Sequence, residues 1–178
     1  AEIQDLLNAS IGLNFGMEFL SGAAAYNVLL EPALDAELAS KIVWFDSYVT
    51  NVDRTPRNVN MLMWEQSLWL IDHGASLYFH HDWGDYLERS RSPFSFTKQH
   101  TLLGLAGQLR DSDERLRPAL TDQLLTNIVD TVPDVWLQNE EQFVGPDANR
   151  KAYVDYLAAR RDASDNFVEE AVNAHNLI

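Results

Sequence analysis

Two short apolar runs, two residues apart, constrain the fold of this chain most strongly. Residues 60–64 and 67–71 are rich in strand-forming side chains, and only Glu65 and Gln66 separate them. A two-residue connection between such runs is typical of an antiparallel β-hairpin. Because a hairpin brings its two ends together, the sequence predicts that the polar segments before and after it lie side by side.

Strand patterns occur only before residue 80, and helical patterns dominate afterwards. Residues 13–20 alternate apolar with small or polar side chains, which predicts another strand. Residues 2–9 and 36–49 have apolar positions at helical spacing, and Asp35 is a suitable N-cap for the second of these helices. We therefore predict an α+β fold with a mostly helical body. Its later helices are expected at residues 98–109, 115–129, 149–161 and 163–175.

Composition and charge exclude several classes of protein. The net charge of −14 repels phosphate groups, so we expect no direct nucleic-acid binding and no attraction to anionic lipids. The absence of cysteine excludes disulfides and thiolate metal sites. No apolar run approaches the ~20 residues that span a bilayer, and the first residues do not resemble a secretory signal. We therefore expect no membrane segment and a cytoplasmic location.

Three polar residues around the predicted hairpin have the spacing of a phosphoryl-transfer site. Asp53 and Asn58 lie in a turn-like segment, and Asp72 follows the second strand, directly before His73 and Gly74. A kinase catalytic loop has Asp and Asn at this spacing, and a hairpin then leads to an Asp-x-Gly motif. A carboxylate can accept the proton of a hydroxyl nucleophile, and amide and carboxylate oxygens suit Mg²⁺. Ordinary loop formation and a strand-ending turn would explain the same residues.

The arrangement resembles the HipA-like kinase family. The resemblance rests on Asn-Val-Asp-Arg-Thr-Pro-Arg-Asn-Val-Asn at 51–60 and on Leu-Trp-Leu-Ile-Asp-His-Gly-Ala at 68–75. Glu-Ile-Gln-Asp-Leu-Leu at 2–7 and Gly-Leu-Asn-Phe-Gly at 12–16 look like the segment that precedes them in that family. The resemblance covers the first half of the chain. It implies a protein-kinase-like C-terminal lobe, with the hairpin between its catalytic loop and its Asp-His-Gly motif.

The resemblance also implies the chemistry of the site. Asp53 would be the catalytic base of an ATP-dependent Ser/Thr protein kinase, and Asn58 and Asp72 would bind Mg²⁺. The cofactors would be ATP and Mg²⁺. The acceptor would be a Ser or Thr hydroxyl of a protein substrate or of the protein itself.

The resemblance further implies how the chain is organised. Residues 1–22 would form an inter-lobe helix and a hinge strand, and residues 23–178 a kinase-like C-lobe, within a single domain. The backbone of three hinge residues would face the adenine of ATP. These residues are Glu18, Phe19 and Leu20.

Two parts of a working kinase are not evident in the sequence. None of the three lysines (Lys41, Lys98 and Lys151) lies on a strand before the catalytic loop, and no Gly-rich phosphate loop is present. We therefore expect a missing N-lobe segment, removed by truncation, to supply these parts, and the chain alone to be inactive. A non-catalytic interaction module with a kinase-like fold is the alternative.

Other polar residues have two interpretations each. Arg54 could contact a phosphate or pair with an acidic neighbour. His73 could line the nucleotide site or pack under the metal-binding loop. The His-His-Asp sequence at 80–82 could form a metal-dependent phosphohydrolase site with His73 and Asp85. It could equally be an exposed loop at the position of a kinase activation segment, where substrate docks.

Overall fold

A small sheet in the first half of the chain and a helical body in the second make up the fold. The structure is a computed structural model, and it describes residues 2–27, 34–138 and 140–178. The helices and strands are α1 (Glu2–Ala9), β1 (Ala24–Ala25), α2 (Ala36–Tyr48), β2 (Met61–Trp64), β3 (Ser67–Leu70), α3 (Tyr86–Arg89), α4 (Leu109–Ala119), α5 (Asp122–Val129), α6 (Pro146–Asp162) and α7 (Ser164–His175). Short 3-10 helices lie at Tyr78–His81, Ser95–Gln99, Leu103–Leu105 and Asp134–Trp136. The predicted α+β class with a mostly helical body is confirmed.

The predicted hairpin is present as strands β2 and β3. They pair antiparallel, and Glu65 and Gln66 at the turn both have positive φ angles, 48° and 64°. These angles match the type I′ turn that fits the twist of a hairpin, although neither residue favours the left-handed region. Strand β1 adds a third strand beside β2, with Ala24 opposite Met63. The sequence pattern missed β1 because two alanines show no alternation.

Helix α2 is the centre of the helical body, as residues 36–49 predict. Asp35 caps it by accepting a hydrogen bond of 2.7 Å from the backbone N–H of Leu38. Its buried face packs against α4 and α7. There Trp44 stacks on Tyr48 at 5.3 Å and meets the edge of Phe167 at 5.5 Å. These aromatic contacts fix α2, and with it the loop that follows α2.

The prediction of a strand at residues 13–20 is wrong. The apolar side chains that alternate there are exposed, and no strand of the described residues lies beside them. An isolated extended segment has no ladder partner, so its alternation alone does not make a strand. Two indole N–H groups contact the backbone around it: Trp136 donates to the Leu13 carbonyl at 2.9 Å, and Trp64 donates to the Ser21 carbonyl at 3.0 Å.

The prediction of a helix at residues 98–109 is also wrong, because hydrogen bonds at His100 and Thr101 hold the backbone in a different conformation. His100 Nδ1 accepts from the N–H of Leu102 at 3.0 Å. The Thr101 N–H donates to the carbonyl of Arg54 at 3.0 Å instead of to a helical partner. Such competing bonds favour turns over an α-helix. The segment therefore forms two short 3-10 helices and fastens the loop that contains Arg54.

The helix predicted at residues 115–129 is divided into α4 and α5. Pro118, next to the end of α4, has no N–H to donate, and proline is unfavourable inside a helix. Thr121 then starts α5 by accepting from the Leu124 N–H at 3.2 Å. The helices predicted at 149–161 and 163–175 are confirmed as α6 and α7. Over the described ranges, no helix is both long enough and apolar enough to cross a bilayer.

Candidate functional site

The loop at residues 51–60 follows α2, and hydrogen bonds to α2 hold its first residue. The Asn51 N–H donates to the Asp46 carbonyl at 2.8 Å, and the Asn51 Nδ2 donates to Asp46 Oδ1 at 3.0 Å. The Asn51 Oδ1 in turn accepts from the backbone N–H of Asp53 at 3.1 Å. Asn51 is buried, so these bonds orient the backbone at Asp53 from the interior of the protein.

Asp53 and Asn58 contact each other across the loop. Asn58 Nδ2 donates to Asp53 Oδ2 at 2.7 Å, and Asn60 Nδ2 donates to the same oxygen at 3.3 Å. A tight backbone bridge between Thr55 and Asn58 closes the turn, with N···O distances of 3.0 and 3.1 Å. No described residue donates to Asp53 Oδ1 or Asn58 Oδ1, so these two oxygens remain available to a ligand.

The hairpin returns the chain to this loop, as its position in the sequence predicts. The Ile71 N–H donates to the Asn60 carbonyl at 3.0 Å, and the Val52 N–H donates to the Ala75 carbonyl at 3.2 Å. Asp72 lies between these two connections, and its side chain is exposed. The structure therefore places the segment that carries Asp72 directly beside the loop of Asp53 and Asn58.

Asp72 occupies a sharp turn of its own. Its φ angle is 51°, in the left-handed region that side chains rarely adopt, and Gly74 donates its N–H to Asp72 Oδ1 at 3.4 Å. A Cβ at Gly74 would lie 3.3 Å from that oxygen. Glycine therefore leaves room for the carboxylate to remain where the turn puts it. Positive φ in an aspartate is uncommon and concentrates at functional sites.

A buried ion-pair cluster supports the loop from below. Arg54 Nε donates to Asp46 Oδ2 at 2.5 Å, His100 Nε2 lies 2.9 Å from the same oxygen, and Arg54 Nη1 donates to the Asn60 carbonyl. Asp46 and Arg54 are each 1% exposed. Burial opposes ionisation of Asp46, but the hydrogen bonds from His100 and Arg54 outweigh it and lower the pKa of Asp46. Of its two interpretations, Arg54 thus pairs with an acidic neighbour.

The His73 side chain follows Asp72 and is exposed, but it contacts Phe45 and Arg54. Its ring meets the edge of Phe45 at 5.8 Å, and its Nε2 lies 3.2 Å from Arg54 Nη2. Partial burial, followed by the charge of Arg54, lowers the pKa of His73. A neutral imidazole can accept from the guanidinium, which links the Asp72 turn to the buried cluster.

Sequence reasoning missed Asp46, His100 and a second buried arginine, Arg160. A signal for Asp46 was present, because it follows Ile42 by four residues on the apolar face of α2. Arg160 is 1% exposed, and its pKa is lowered by burial. Arg160 donates to the carbonyls of Ser47, Tyr48, Ser90 and Ser92 at 2.7–3.1 Å. It fastens the segment after the Asp72 turn to the C-terminal end of α2.

The predicted adenine-facing residues are not brought to the loop by any contact of the described residues. Glu18 and Phe19 are exposed and lie outside regular structure, and Phe19 is 87% exposed. The carbonyl of Leu20 accepts from the Ala23 N–H at 3.1 Å within a local turn. Because residues 13–20 do not form the predicted hinge strand, the adenine contact remains a prediction from the resemblance alone.

The His-His-Asp sequence at 80–82 gains no support as a metal centre. Across the described ranges, no group of three or more His, Cys, Asp or Glu side chains could hold a metal ion. The rings of His80 and His81 pack against each other at 4.4 Å, and His73 is held by Phe45 and Arg54. The residues predicted to complete a phosphohydrolase site are therefore not gathered.

Comparison with known proteins identified one family. The model of a family described as HipA-like kinase matches residues 2–170, nearly the whole chain. Comparisons with curated proteins and with solved structures gave no significant match. The match extends the resemblance beyond the motifs at 51–60 and 68–75 into the helical body.

Proposed function

Because the chain belongs to the HipA-like kinase family, we propose that it is the kinase-like C-terminal lobe of an ATP-dependent Ser/Thr protein kinase. One observation carries this proposal. The hydrogen bond from Asn58 to Asp53 pre-forms a catalytic loop, and the hairpin returns Asp72 beside that loop. The reaction is transfer of the γ-phosphate of ATP to a hydroxyl, and we place it in the cytoplasm, in keeping with the cysteine-free sequence.

In the proposed reaction Asp53 orients the acceptor hydroxyl and accepts its proton as the oxygen attacks the γ-phosphorus. The bond between that phosphorus and the β–γ bridging oxygen breaks, and ADP leaves. The two amide donors on Oδ2, from Asn58 and Asn60, fix the plane of the carboxylate. They leave Oδ1 for the hydroxyl. This division of the two oxygens supports the assignment of Asp53 as the base.

The donor set on the other side of the site suits Mg²⁺. With its Nδ2 held by Asp53, Asn58 presents its amide oxygen, and the exposed Asp72 presents a carboxylate. Both are hard oxygen ligands of the kind that Mg²⁺ binds in proteins. When bound, the metal neutralises charge that develops on the phosphates. Asn58 and Asp72 are the residues that would hold it.

We propose that a phosphate-binding lysine comes from an N-lobe segment. Within the chain, Lys41 pairs with Glu37 at 2.7 Å, Lys151 pairs with Asp155 at 2.6 Å, and Lys98 is exposed and lies outside the strands. The same N-lobe would meet the backbone at residues 18–20, the proposed adenine contact. Without it the chain is expected to be a poor catalyst.

Calorimetric titration of Mg·ATP tests the proposal. The titration would compare the natural full-length protein, its Asp72→Ala variant and the 178-residue chain. We expect the natural protein to bind, the variant to lose at least tenfold in affinity, which is about 1.4 kcal/mol, and the chain to bind weakly. Binding that survives Asp72→Ala would refute the metal assignment. No binding in the natural protein would sink the kinase proposal and favour a non-catalytic interaction module.

A further inference from the structure

A cavity of about 340 Å³ lies between α2, β3, α4 and α5. Its wall is almost entirely apolar, and all four elements contribute side chains to it, among them Ile42, Phe45, Leu70, Leu116, Leu120 and Leu124.

Two aromatic residues of α2 also line the cavity, and their polar groups are engaged elsewhere. The Trp44 indole N–H donates to Asp113 Oδ1 at 2.8 Å. The Tyr48 hydroxyl donates to the Leu157 carbonyl at 2.9 Å. The interior therefore offers few hydrogen-bond partners to water, and an apolar ligand is favoured there.

The cavity is open to solvent and has the size of a small-molecule site. Two of its lining side chains, Phe45 and Leu124, remain 38% and 39% exposed. Concave sites for small molecules have volumes of about 300–1,000 Å³. A single cavity of this size is much smaller than the surface that a stable protein–protein interface buries. The geometry therefore favours a small molecule over a partner chain.

The edge of the cavity is positively charged. Among the described residues that line it, Lys41 alone is charged. Its Nζ lies 2.7 Å from Glu37 Oε1, and Arg115 Nη1 lies 2.8 Å from the same oxygen. The two cationic side chains are 39% and 65% exposed, so a ligand can reach both. Asp35, which also acts on Glu37, accepts from the Leu38 N–H at the start of α2. Two cations thus share one carboxylate at the edge.

We propose that this cavity binds a fatty acid in its carboxylate form. The alkyl chain would lie against the apolar wall, and the carboxylate would meet Lys41 and Arg115 at the edge. A hydrocarbon would leave the two cations sharing one carboxylate, and a small polar anion would leave the apolar wall in contact with water. An unbranched chain with a carboxylate at one end satisfies both parts of the site.

The cavity is near the Asp72 turn, although none of the described residues that line it belongs to that turn or to the loop at 51–60. Leu70 ends β3 two residues before Asp72, and the Phe45 ring meets the edge of His73 at 5.8 Å. A bound alkyl chain would contact both of these side chains. Binding of the fatty acid itself does not depend on the proposed kinase function.

Nuclear magnetic resonance of the chain with ¹³C-labelled leucine methyl groups tests the proposal. Decanoate is the main probe. Decyltrimethylammonium has the same chain with a cationic head, and butyrate has the same head with a short chain. All are used below their micelle concentrations. We expect decanoate to bind saturably, with nuclear Overhauser effects from its chain to the Leu124 methyl groups. Its affinity should exceed that of either other probe by at least about tenfold.

Two pairs of variants locate the chain and the head of the ligand. Leu124→Gln should abolish decanoate binding, because it places an amide in the apolar wall. Its control is Ile128→Gln, one turn later on α5, which is 52% exposed, does not line the cavity and should retain binding. Arg115→Gln should weaken decanoate binding about threefold. Its control is Arg110→Gln, which removes another ion-paired cation from α4 and should have no effect.

Equal affinities for decanoate and decyltrimethylammonium would overturn the proposal. So would no binding of decanoate, or Overhauser effects to the exposed apolar side chains of residues 3–19 in place of Leu124. The natural full-length protein should bind decanoate as the chain does. Loss of binding there would show that another part of that protein fills the cavity, and would also overturn the proposal. Because no nucleotide is present, the result is independent of the Mg·ATP titration.

Discussion

Two polar clusters include residues of the loop at 51–60, and they differ in whether their charged groups have partners within the protein. The buried cluster (Asp46, Arg54 and His100) is closed, because each charged group has a partner within it. The rim cluster consists of the half-buried Asp53 and the exposed Asn58 and Asp72, and its hydrogen bonds leave oxygens free.

This difference in burial indicates that one cluster has a structural role and the other a chemical role. A buried charge that loses its partner is strongly destabilising, whereas a surface carboxylate is solvated by water and tolerates substitution. We infer that the buried cluster fixes the loop geometry and that the rim cluster acts on the ligand. Substitutions in the buried cluster should therefore lower the stability of the fold. Substitutions in the rim cluster should lower phosphoryl transfer and change stability little.

The largest effect is expected for Arg54→Met, which leaves Asp46 buried without its arginine. The free energy of unfolding should fall by about 3–5 kcal/mol, measured by urea denaturation. Arg57→Met is the matched control, because Arg57 is exposed in the same loop and its loss should change stability by less than about 0.5 kcal/mol. Similar losses for both variants would remove the distinction between the clusters.

The reverse result is expected for Asp53→Asn. Its amide is isosteric with the carboxylate, so the free energy of unfolding should change by less than about 1 kcal/mol. Phosphoryl transfer by the natural full-length protein should fall by at least about 100-fold, because an amide does not accept the hydroxyl proton. Transfer at the wild-type rate, measured with γ-³²P-ATP and a serine peptide, would show that Asp53 is not the base.

Acid should reveal the charge of the buried cluster. Because the folded-state pKa of Asp46 is lowered, its ionised form stabilises the protein above about pH 4. That contribution is lost as the pH falls through the folded pKa. The stability difference between wild type and Asp46→Asn should thus narrow as the pH falls below about 4. A constant stability difference over the same fall in pH would mean that the stabilisation from Asp46 does not depend on its charge.

The smallest effect is expected at the hairpin turn that connects the loop to Asp72. Replacing Glu65-Gln66 by Asn-Gly supplies residues that accept positive φ, and should stabilise the protein by about 0.4–1 kcal/mol in thermal denaturation. Mg·ATP binding by the natural protein should be unchanged, because the turn lies far along the hairpin from Asp72. Weaker binding would indicate that the turn strain is transmitted to the site.

The hairpin and the rim cluster could be predicted because their signals are local. The runs at 60–64 and 67–71 need only each other, and Asp53 and Asn58 lie within one loop, so their proximity follows from the spacing. The spacing alone left ordinary loop formation open, and the roles of Asp53 and Asn58 in catalysis remain predictions from the resemblance. The strand at 13–20 failed for the opposite reason: its alternation was real, but a strand also requires a partner edge, which local sequence does not report.

The interpretation of Arg54 depended on distant residues. Its partners are Asp46 on α2 and the carbonyl of Asn60, and His100 joins the same carboxylate from a segment expected to be helical. The sequence left both a phosphate contact and pairing with an acidic neighbour open. Only the packing of α2 under the loop shows that the guanidinium is buried and engaged.

By itself, the sequence determined the class of fold, the hairpin and the order of Asp53, Asn58 and Asp72, since these follow from short-range periodicity and spacing. The tertiary structure alone decided which charges are buried and which remain exposed. The physical reason is that burial and pairing depend on segments far apart in the chain. Asp46 and His100 are separated by 54 positions, and they meet only once the helical body has packed.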